Sequence, residues 1–177
     1  FKDRVFQRSL CDNYLTEQIT KSFIYDNGAC LAGKGTEFSR GRLVAHIQKF
    51  YRKHGRNGYV LKCDVTNFFG STPHSVVKEK MRKLCDDDWA YSEVCRIVDS
   101  FSTDDSPGVG MGLGSQATQL CQLAVLNEVD HGIKECKRIK HYVRYMDDFI
   151  LIHESKDVLK DCLQYIQTEL DKMGLRL

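Results

Sequence analysis

Residues 142 to 152, YVRYMDDFILI, set two adjacent aspartates, Asp147 and Asp148, inside an otherwise apolar stretch. Far upstream a third, Asp64, follows the alternating run GYVLKC. Ionised carboxylates gathered in an apolar, partly dehydrated setting repel one another, and protonation, a basic partner or a divalent cation relieves that repulsion. A cluster of oxygen ligands favours Mg²⁺, which keeps some of its water and takes substrate phosphates as well. Two such ions about 4 Å apart activate an attacking hydroxyl on one side and stabilise a departing oxygen on the other, the chemistry of nucleotidyl transfer. An Asp-Asp pair by itself is as much at home in a tight hairpin turn. Asp64, at the end of a strand, is what favours the metal reading.

The elements that must bring these residues together are read from hydrophobic period and turn residues. An amphipathic stretch runs from about Asp12 to Tyr25, with Leu15, Ile19, Phe23 and Ile24 at helical spacing. A helix from Thr36 carries Phe38, Leu43, Ile47 and Phe50 and ends at Gly55. Gly58 to Val65 alternates as a strand, with Val60, Lys62 and Asp64 on one face and Tyr59, Leu61, Cys63 and Val65 on the other. Ser71 or Thr72 is the expected cap of a helix that has Pro73 in its first turn and reaches Leu84. A further helix is expected from about Asp88 to Phe101, and the glycine-rich SPGVGMGLG then feeds a long apolar helix from Ser115. KHYVRYM and FILI read as two strands joined by the paired aspartates, followed by a helix ended by Gly174 and a last strand beginning at LRL. From Gly58 onward the order strand, helices, strand, strand, helix, strand is the split βαβ, ferredoxin-like pattern, which makes the fold class α+β. In such a sheet the first strand and the later hairpin are central neighbours, so Asp64, Asp147 and Asp148 converge.

Lysine and arginine total 26 against 24 acidic residues in 177, and this near balance hides a segregation. Gly33 to Arg56 carries Lys34, Arg40, Arg42, Lys49, Arg52, Lys53 and Arg56 against Glu37, a basic block suited to nucleic-acid phosphates or to a solvated helix face. The 8 cysteines form no CxxC pair and read as free, buried thiols in a reducing compartment. No apolar run approaches the roughly 18 residues of a membrane span, and the N-terminus lacks a signal sequence, so a cytoplasmic setting without a membrane partner is expected. The alternating glycines 108, 110, 112 and 114 fit neither the dinucleotide fingerprint nor the P-loop. They read as a flexible backbone able to approach a ligand closely, or as a linker.

DVTNFF (Asp64 to Phe69), the Ser115-Gln116 pair opening the long helix, and YMDD (Tyr145 to Asp148) occur in the order and context of reverse transcriptase motifs A, B and C. The chain resembles the fingers and palm of bacterial reverse transcriptases, the broad group of group II intron, retron and diversity-generating enzymes found on mobile elements. The resemblance implies a ferredoxin-like polymerase palm over residues 58–177, a mostly helical partial fingers region over residues 1–57, and no thumb. The chain stops within MGLRL, which reads as an end before motif D. The implied activity is RNA-directed DNA polymerisation with two Mg²⁺ ions, for which Mn²⁺ can substitute. The implied partners are an RNA template, a DNA or RNA primer and a dNTP, with room for a cognate structured RNA or an accessory protein. The sequence sets no oligomeric state.

Residue by residue, the resemblance gives Asp64, Asp147 and Asp148 as catalytic carboxylates, with the Val65 carbonyl as a further metal ligand. Phe69 takes the aromatic position that crowds the sugar 2′ carbon, where it would favour dNTP over NTP; its plainer role is core packing, since either Phe68 or Phe69 must face inward. Lys34, Arg40 and Arg42 fall in the region whose basic side chains meet the triphosphate and template. Tyr145 and Met146 would lie near the primer end, and Gly112 and Gly114 near the primer and template. Many family members carry Pro-Gln-Gly before the motif B helix; here Met111 falls near that glutamine and Gln116 further on, so both are candidates for the nucleotide contact. A rival reading is a catalytically weak, maturase-type RNA-binding module on the same scaffold. Polymerases that copy RNA into RNA usually show GDD at this turn, and Phe69 with YMDD speaks against them.

Overall fold

The computed structural model of the chain describes residues 2–177. In chain order its elements are α1 (Lys2–Leu10), a π-helical turn (Cys11–Leu15), α2 (Thr16–Thr20), α3 (Thr36–His54), β1 (Tyr59–Cys63), α4 (Phe68–Ser71), α5 (His74–Leu84), α6 (Asp88–Asp99), α7 (Gln116–Val125), α8 (Asn127–His131), a second π-helical turn (Gly132–Cys136), β2 (His141–Tyr145), β3 (Asp148–His153) and α9 (Lys156–Lys172). They group into two compact units, each assembled from separated stretches of chain. One takes the stretch ending at Phe23 with Asn67–Asn127 and Met173–Leu175; the other takes Ile24–Thr66, Glu128–Lys172 and Arg176–Leu177.

The second unit holds a three-stranded antiparallel sheet in the order β1-β3-β2. β3 is inserted between the two strands that the intervening helices separate in sequence, which is the split βαβ arrangement expected from the sequence. Cys63 and Arg144 both pair with Phe149, on opposite sides of β3, and Tyr145 pairs with Asp148. Because side chains alternate along a strand, this register gathers Leu61, Cys63, Tyr142, Arg144, Phe149 and Leu151 on one face. Val60, Lys62, Val143, Tyr145, Asp148 and Ile150 share the other. The first face is the core side: Tyr142, Arg144, Phe149 and Leu151 are fully buried, and α9 packs against β1 and β3, burying Leu159, Cys162, Ile166 and Leu170. α3 lies against β2, where the rings of His46 and Phe50 meet His141 edge-on.

Both outer edges of the sheet receive backbone partners. Arg144 N–H donates to the Asp26 carbonyl and Gly28 N–H to the Arg144 carbonyl, so the segment at Asn27 runs parallel along the outside of β2. At the end of β1, Thr66 N–H donates to the Arg176 carbonyl at 2.8 Å. Leu175–Leu177, expected to start a strand, has no regular secondary structure; a single backbone hydrogen bond beside β1 does not make a ladder.

The first unit is helical, with α5 packed on α6 and α7 and α1 packed on α7. Three local expectations change here. The N-terminal helical stretch runs from Lys2 to Thr20, earlier than its apolar pattern indicates, because α1 buries Leu10 while Val5 and Phe6 stay exposed. The π-helical turn that follows presents Tyr14, whose hydroxyl donates to the Asp86 carboxylate and accepts from Asp86 N–H and Asp87 N–H just ahead of α6. The residue before α5 is Pro73, with no side-chain cap; Thr72 instead turns inward and donates to the Phe68 carbonyl.

Gly58, immediately before β1, shows how tightly α3 lies on the sheet unit: an added Cβ would come within 2.3 Å of the Phe50 ring, which is itself buried. Gly58→Ala is expected to destabilise the protein by about 1–3 kcal/mol, the usual cost of overpacking a filled core, read from the midpoint of urea denaturation.

Candidate active site

Each carboxylate is placed by a different local device. Asp64 directly follows β1, whose alternation puts it on the same face as Lys62. Val65 is then buried, and Asn67 adopts a left-handed backbone with φ 46°, a conformation that asparagine tolerates better than most residues. This reversal ends the strand and starts α4. Asp147 lies in the turn between β2 and β3, and Asp148 is the first residue of β3. Continuing the β1–β3 register by one position sets Asp64 opposite Asp148.

The electrostatics of the second unit agree with that convergence. Burial raises the Asp147 carboxyl above the ordinary aspartate range, and the charges of Asp64 and Asp148 push in the same direction, against a backbone hydrogen bond and Arg144. The Cys63 thiol is pushed up to about 11, first by burial and then by Asp148 and Asp64. Lys62 Nζ stands 3.2 Å from Asp148 Oδ1, with both side chains partly exposed. Among the described residues no three His, Cys, Asp or Glu side chains are drawn together into a coordination shell. The donor set is nonetheless of one kind: hard, anionic oxygens that repel one another and already attract a cation. In chemistry it suits a divalent ion of the Mg²⁺ type, and Asp64, Asp147 and Asp148 are the side chains that could hold one.

The basic residues expected at a triphosphate have local partners. Arg42 Nε donates to Asp26 Oδ1 at 2.6 Å, and His46 and Lys134 reach the other oxygen of the same buried carboxylate. Burial alone would raise Asp26, but these three hydrogen bonds hold it well below the usual carboxylate range. Lys34 Nζ donates to the carbonyls of Tyr25 and Asn27 and lies over the Tyr25 and Phe38 rings. Arg40 pairs with Glu37 on the exposed side of α3. Lys34 and Arg42 thus order the segment that runs beside β2, while Arg40, Lys49, Arg52, Lys53 and Arg56 are exposed.

The remaining candidates lie in the helical unit. Phe68 takes the buried position and Phe69 is left half-buried, its ring edge-on to that of Phe68. Met111 N–H donates to the Phe69 carbonyl at 2.6 Å, and the Met111 side chain is buried. Gly112 presses on the Phe101 ring, where a Cβ would come within 2.0 Å, whereas Gly114 has φ +90° and open space around it. Gln116 opens α7 beside a groove of about 880 Å³ that Arg4, Arg8, Arg96 and Leu113 also line. Tyr145 and Met146 are half-buried in the sheet unit, and Met146 is left-handed with φ 54°.

Sequence reasoning did not single out Lys62, Arg144, Asp130 or Gln122. Arg144 left a signal: strand alternation puts it on the face of Tyr142, so a charged residue was heading into the core. Gln122 is fully buried in α7 and donates to Thr72, and its helical position alone gave no such warning.

A protein-family profile described as "Reverse transcriptase (RNA-dependent DNA polymerase)" matches residues 7–177. No curated protein matches the chain. Among solved structures, apo telomerase from Candida tropicalis is similar with a TM-score of 0.71 at 16% identity, over 95% of this chain and 35% of that one. The same telomerase truncated from its C-terminal domain gives a TM-score of 0.69 at 17% identity, over 95% and 38%. Telomerase from Candida albicans in complex with a TWJ fragment of telomeric RNA gives 0.64 at 13%, over 98% and 33%. At these identities the likeness is one of fold, and the chain spans about a third of the length of those proteins.

Asp147→Asn tests the electrostatic strain directly. A carboxyl whose folded pKa lies above its unfolded value destabilises the fold when ionised, and that cost is absent below the unfolded pKa of about 4 and present at neutral pH. Asp147→Asn is therefore expected to raise the melting temperature at pH 7 in EDTA, on the order of 2 °C. Mg²⁺ is expected to stabilise the wild type more than the variant; an unchanged melting temperature in EDTA would show that no such strain exists.

Proposed function

The chain belongs to the reverse transcriptase (RNA-dependent DNA polymerase) family, and on that premise we propose that it is part of an RNA-directed DNA polymerase. The reaction proposed is transfer of a deoxynucleotide from a dNTP to the 3′-hydroxyl of a primer paired with an RNA template. The observation that carries it is the strand register that brings Asp64, Asp147 and Asp148 to one end of the sheet, where the charges of Asp64 and Asp148 bear on Asp147. Divalent ions bound there, Mg²⁺ or Mn²⁺, supply charge neutralisation at the triphosphate and activation of the primer hydroxyl. The chain's own residues bind and orient: Asp64 and Asp148 reach in from adjacent strands, Asp147 from the turn, and the Val65 carbonyl is a further ligand. Lys62 keeps a cation beside Asp148 and limits the repulsion when the carboxylates are otherwise unpartnered.

In this reading residues 1–57 serve as fingers and residues 58–177 as palm. The exposed basic side chains of α3 contact template or primer phosphates, with a binding affinity that falls as salt rises. Gln116 or the Met111 backbone region meets the incoming nucleotide or template, Gly112 and Gly114 let the chain approach the template closely, and Tyr145 and Met146 lie at the primer end. Placement with group II intron, retron and diversity-generating enzymes of mobile elements is part of the proposal; the motif order of DVTNFF, SQ and YMDD by itself supports only the wider family. Eight free thiols support a reducing, cytoplasmic setting. The basic face of α3 equally supports RNA binding without catalysis, as in a maturase-type module, and an activity measurement separates the two.

Extension of a DNA primer on an RNA template is expected for the wild type and is expected to fall on the order of a thousandfold in Asp147→Asn/Asp148→Asn, the scale of losing several kcal/mol of charge stabilisation. An inactive wild type, or a double variant of equal activity, sinks the polymerase reading.

For Phe69, whose ring is half-buried, Phe69→Ala is expected to raise incorporation of NTP relative to dNTP on the order of tenfold, the scale of one steric contact in a pocket. A ratio that stays constant in single-nucleotide incorporation removes Phe69 from sugar selection.

A further inference from the structure

We propose that Arg144, held by Asp130, is a positioning residue for the metal-binding turn. Its guanidinium fixes the Met146 carbonyl and so sets the direction in which Asp147 and Asp148 leave the hairpin. The inference rests on the two-metal reading above.

The side chains of Arg144 and Asp130 both have 0% exposure. Arg144 Nε donates to both Asp130 oxygens, at 2.8 and 2.9 Å, and Nη2 donates to Oδ2 at 2.7 Å. The Tyr142 hydroxyl donates to Asp130 Oδ1 at 2.6 Å, so the carboxylate is saturated and cannot swing. From that fixed position Arg144 Nη1 donates to the Met146 carbonyl at 2.6 Å. Met146 is the residue of the turn with a left-handed backbone, φ 54°, which an unbranched L side chain adopts only when its surroundings hold it there. The backbone of Arg144 is clamped as well, between Asp26 and Gly28. The base of the turn is therefore tied to the core at one point and to the strand edge at another.

A buried ion pair is a weak source of stability, because well-packed apolar residues of the same volume are often as good. They cannot donate to a turn carbonyl two residues ahead. Lysine cannot do both tasks either, since its ammonium is a point charge and lacks the planar fork that spans Asp130 and Met146 at once.

Mn²⁺ binding followed by electron paramagnetic resonance, with melting curves alongside, tests the assignment. Arg144→Lys is expected to lose affinity for Mn²⁺ by about tenfold or more, the usual scale for a residue that orients metal ligands. Arg144→Lys/Asp130→Glu, in which the longer acid meets the shorter base, is expected to recover melting temperature and not Mn²⁺ affinity. A merely structural pair would recover both. Tyr142→Phe leaves the link to Met146 in place and is expected to bind Mn²⁺ within about twofold of wild type. Wild-type affinity in Arg144→Lys, affinity that returns with stability in the double variant, or an equal loss in Tyr142→Phe each overturns the proposal. Where the lysine variants do not fold, the wild type decides: its Arg144 guanidinium resonance is expected to shift on adding Mg²⁺, and a resonance that stays put overturns the assignment. A wild type that binds no Mn²⁺, or binds it equally well after Asp147→Asn, overturns the two-metal reading instead.

Discussion

Three carboxylates at one end of a small sheet repel one another, and most of the sheet unit can be understood as the structure needed to keep them there. Like charges in a partly dehydrated place move apart unless the backbone forbids it. Here the backbone forbids it in two ways: β1 and β3 are paired along their length, and the turn carrying Asp147 is a short link between strands that are themselves paired. The rise in the Asp147 carboxyl is the residual tension. A cluster of this kind is less stable than a neutral turn in the same place.

Two buried carboxylates elsewhere in the same unit show the opposite arrangement. Asp26 is surrounded by Arg42, His46 and Lys134 and Asp130 by Arg144 and Tyr142, so each is satisfied by the protein alone. Both also lie against β2: Asp26 through its backbone and Asp130 through side chains. The unit thus holds carboxylates enclosed by several partners beneath and beside the hairpin, and at its tip carboxylates with fewer, Lys62 beside Asp148 among them. Cations that in the sequence were candidates for substrate phosphates, Lys34 and Arg42, are used in ordering the flank of β2.

The sequence made the site legible where chemistry and period coincided. Asp64 after an alternating run and Asp147-Asp148 between two apolar runs required no tertiary information, and the order of strands and helices then placed them together. α3 and α9 were legible as elements, each with a glycine just beyond its end, but only α9 buries the apolar stripe it shows; α3 buries Ser39, His46 and Phe50 while Ile47 is exposed. What was not legible depended on partners distant in sequence. α1 buries only Leu10 and leaves Val5 and Phe6 exposed, so its short apolar side did not mark it as part of the core. The cap before α5 is Pro73 because Thr72 finds better partners in Phe68 and Gln122. Lys34 and Arg42 look like any surface cations until Asp26 and two carbonyls are brought to them. Arg144 was visible only as a contradiction, a charge on the core side of a strand, whose resolution lay in Asp130.

The discontinuous make-up of the two units has a consequence for how the protein comes into being. Asp64 and Asp147 belong to one unit, but 82 residues separate them in the chain, and most of that interval builds the other unit. Pairing over such separations is slow because loop closure precedes any gain from contact. During synthesis β1 therefore emerges as an edge without a partner and stays so until β3 leaves the ribosome. The basic α3 and the first aspartate are exposed throughout that interval, before any complete site exists. The growing chain thus has a period in which a strongly basic helix and an unpaired strand edge stand side by side, with Asp64 still apart from the other two carboxylates.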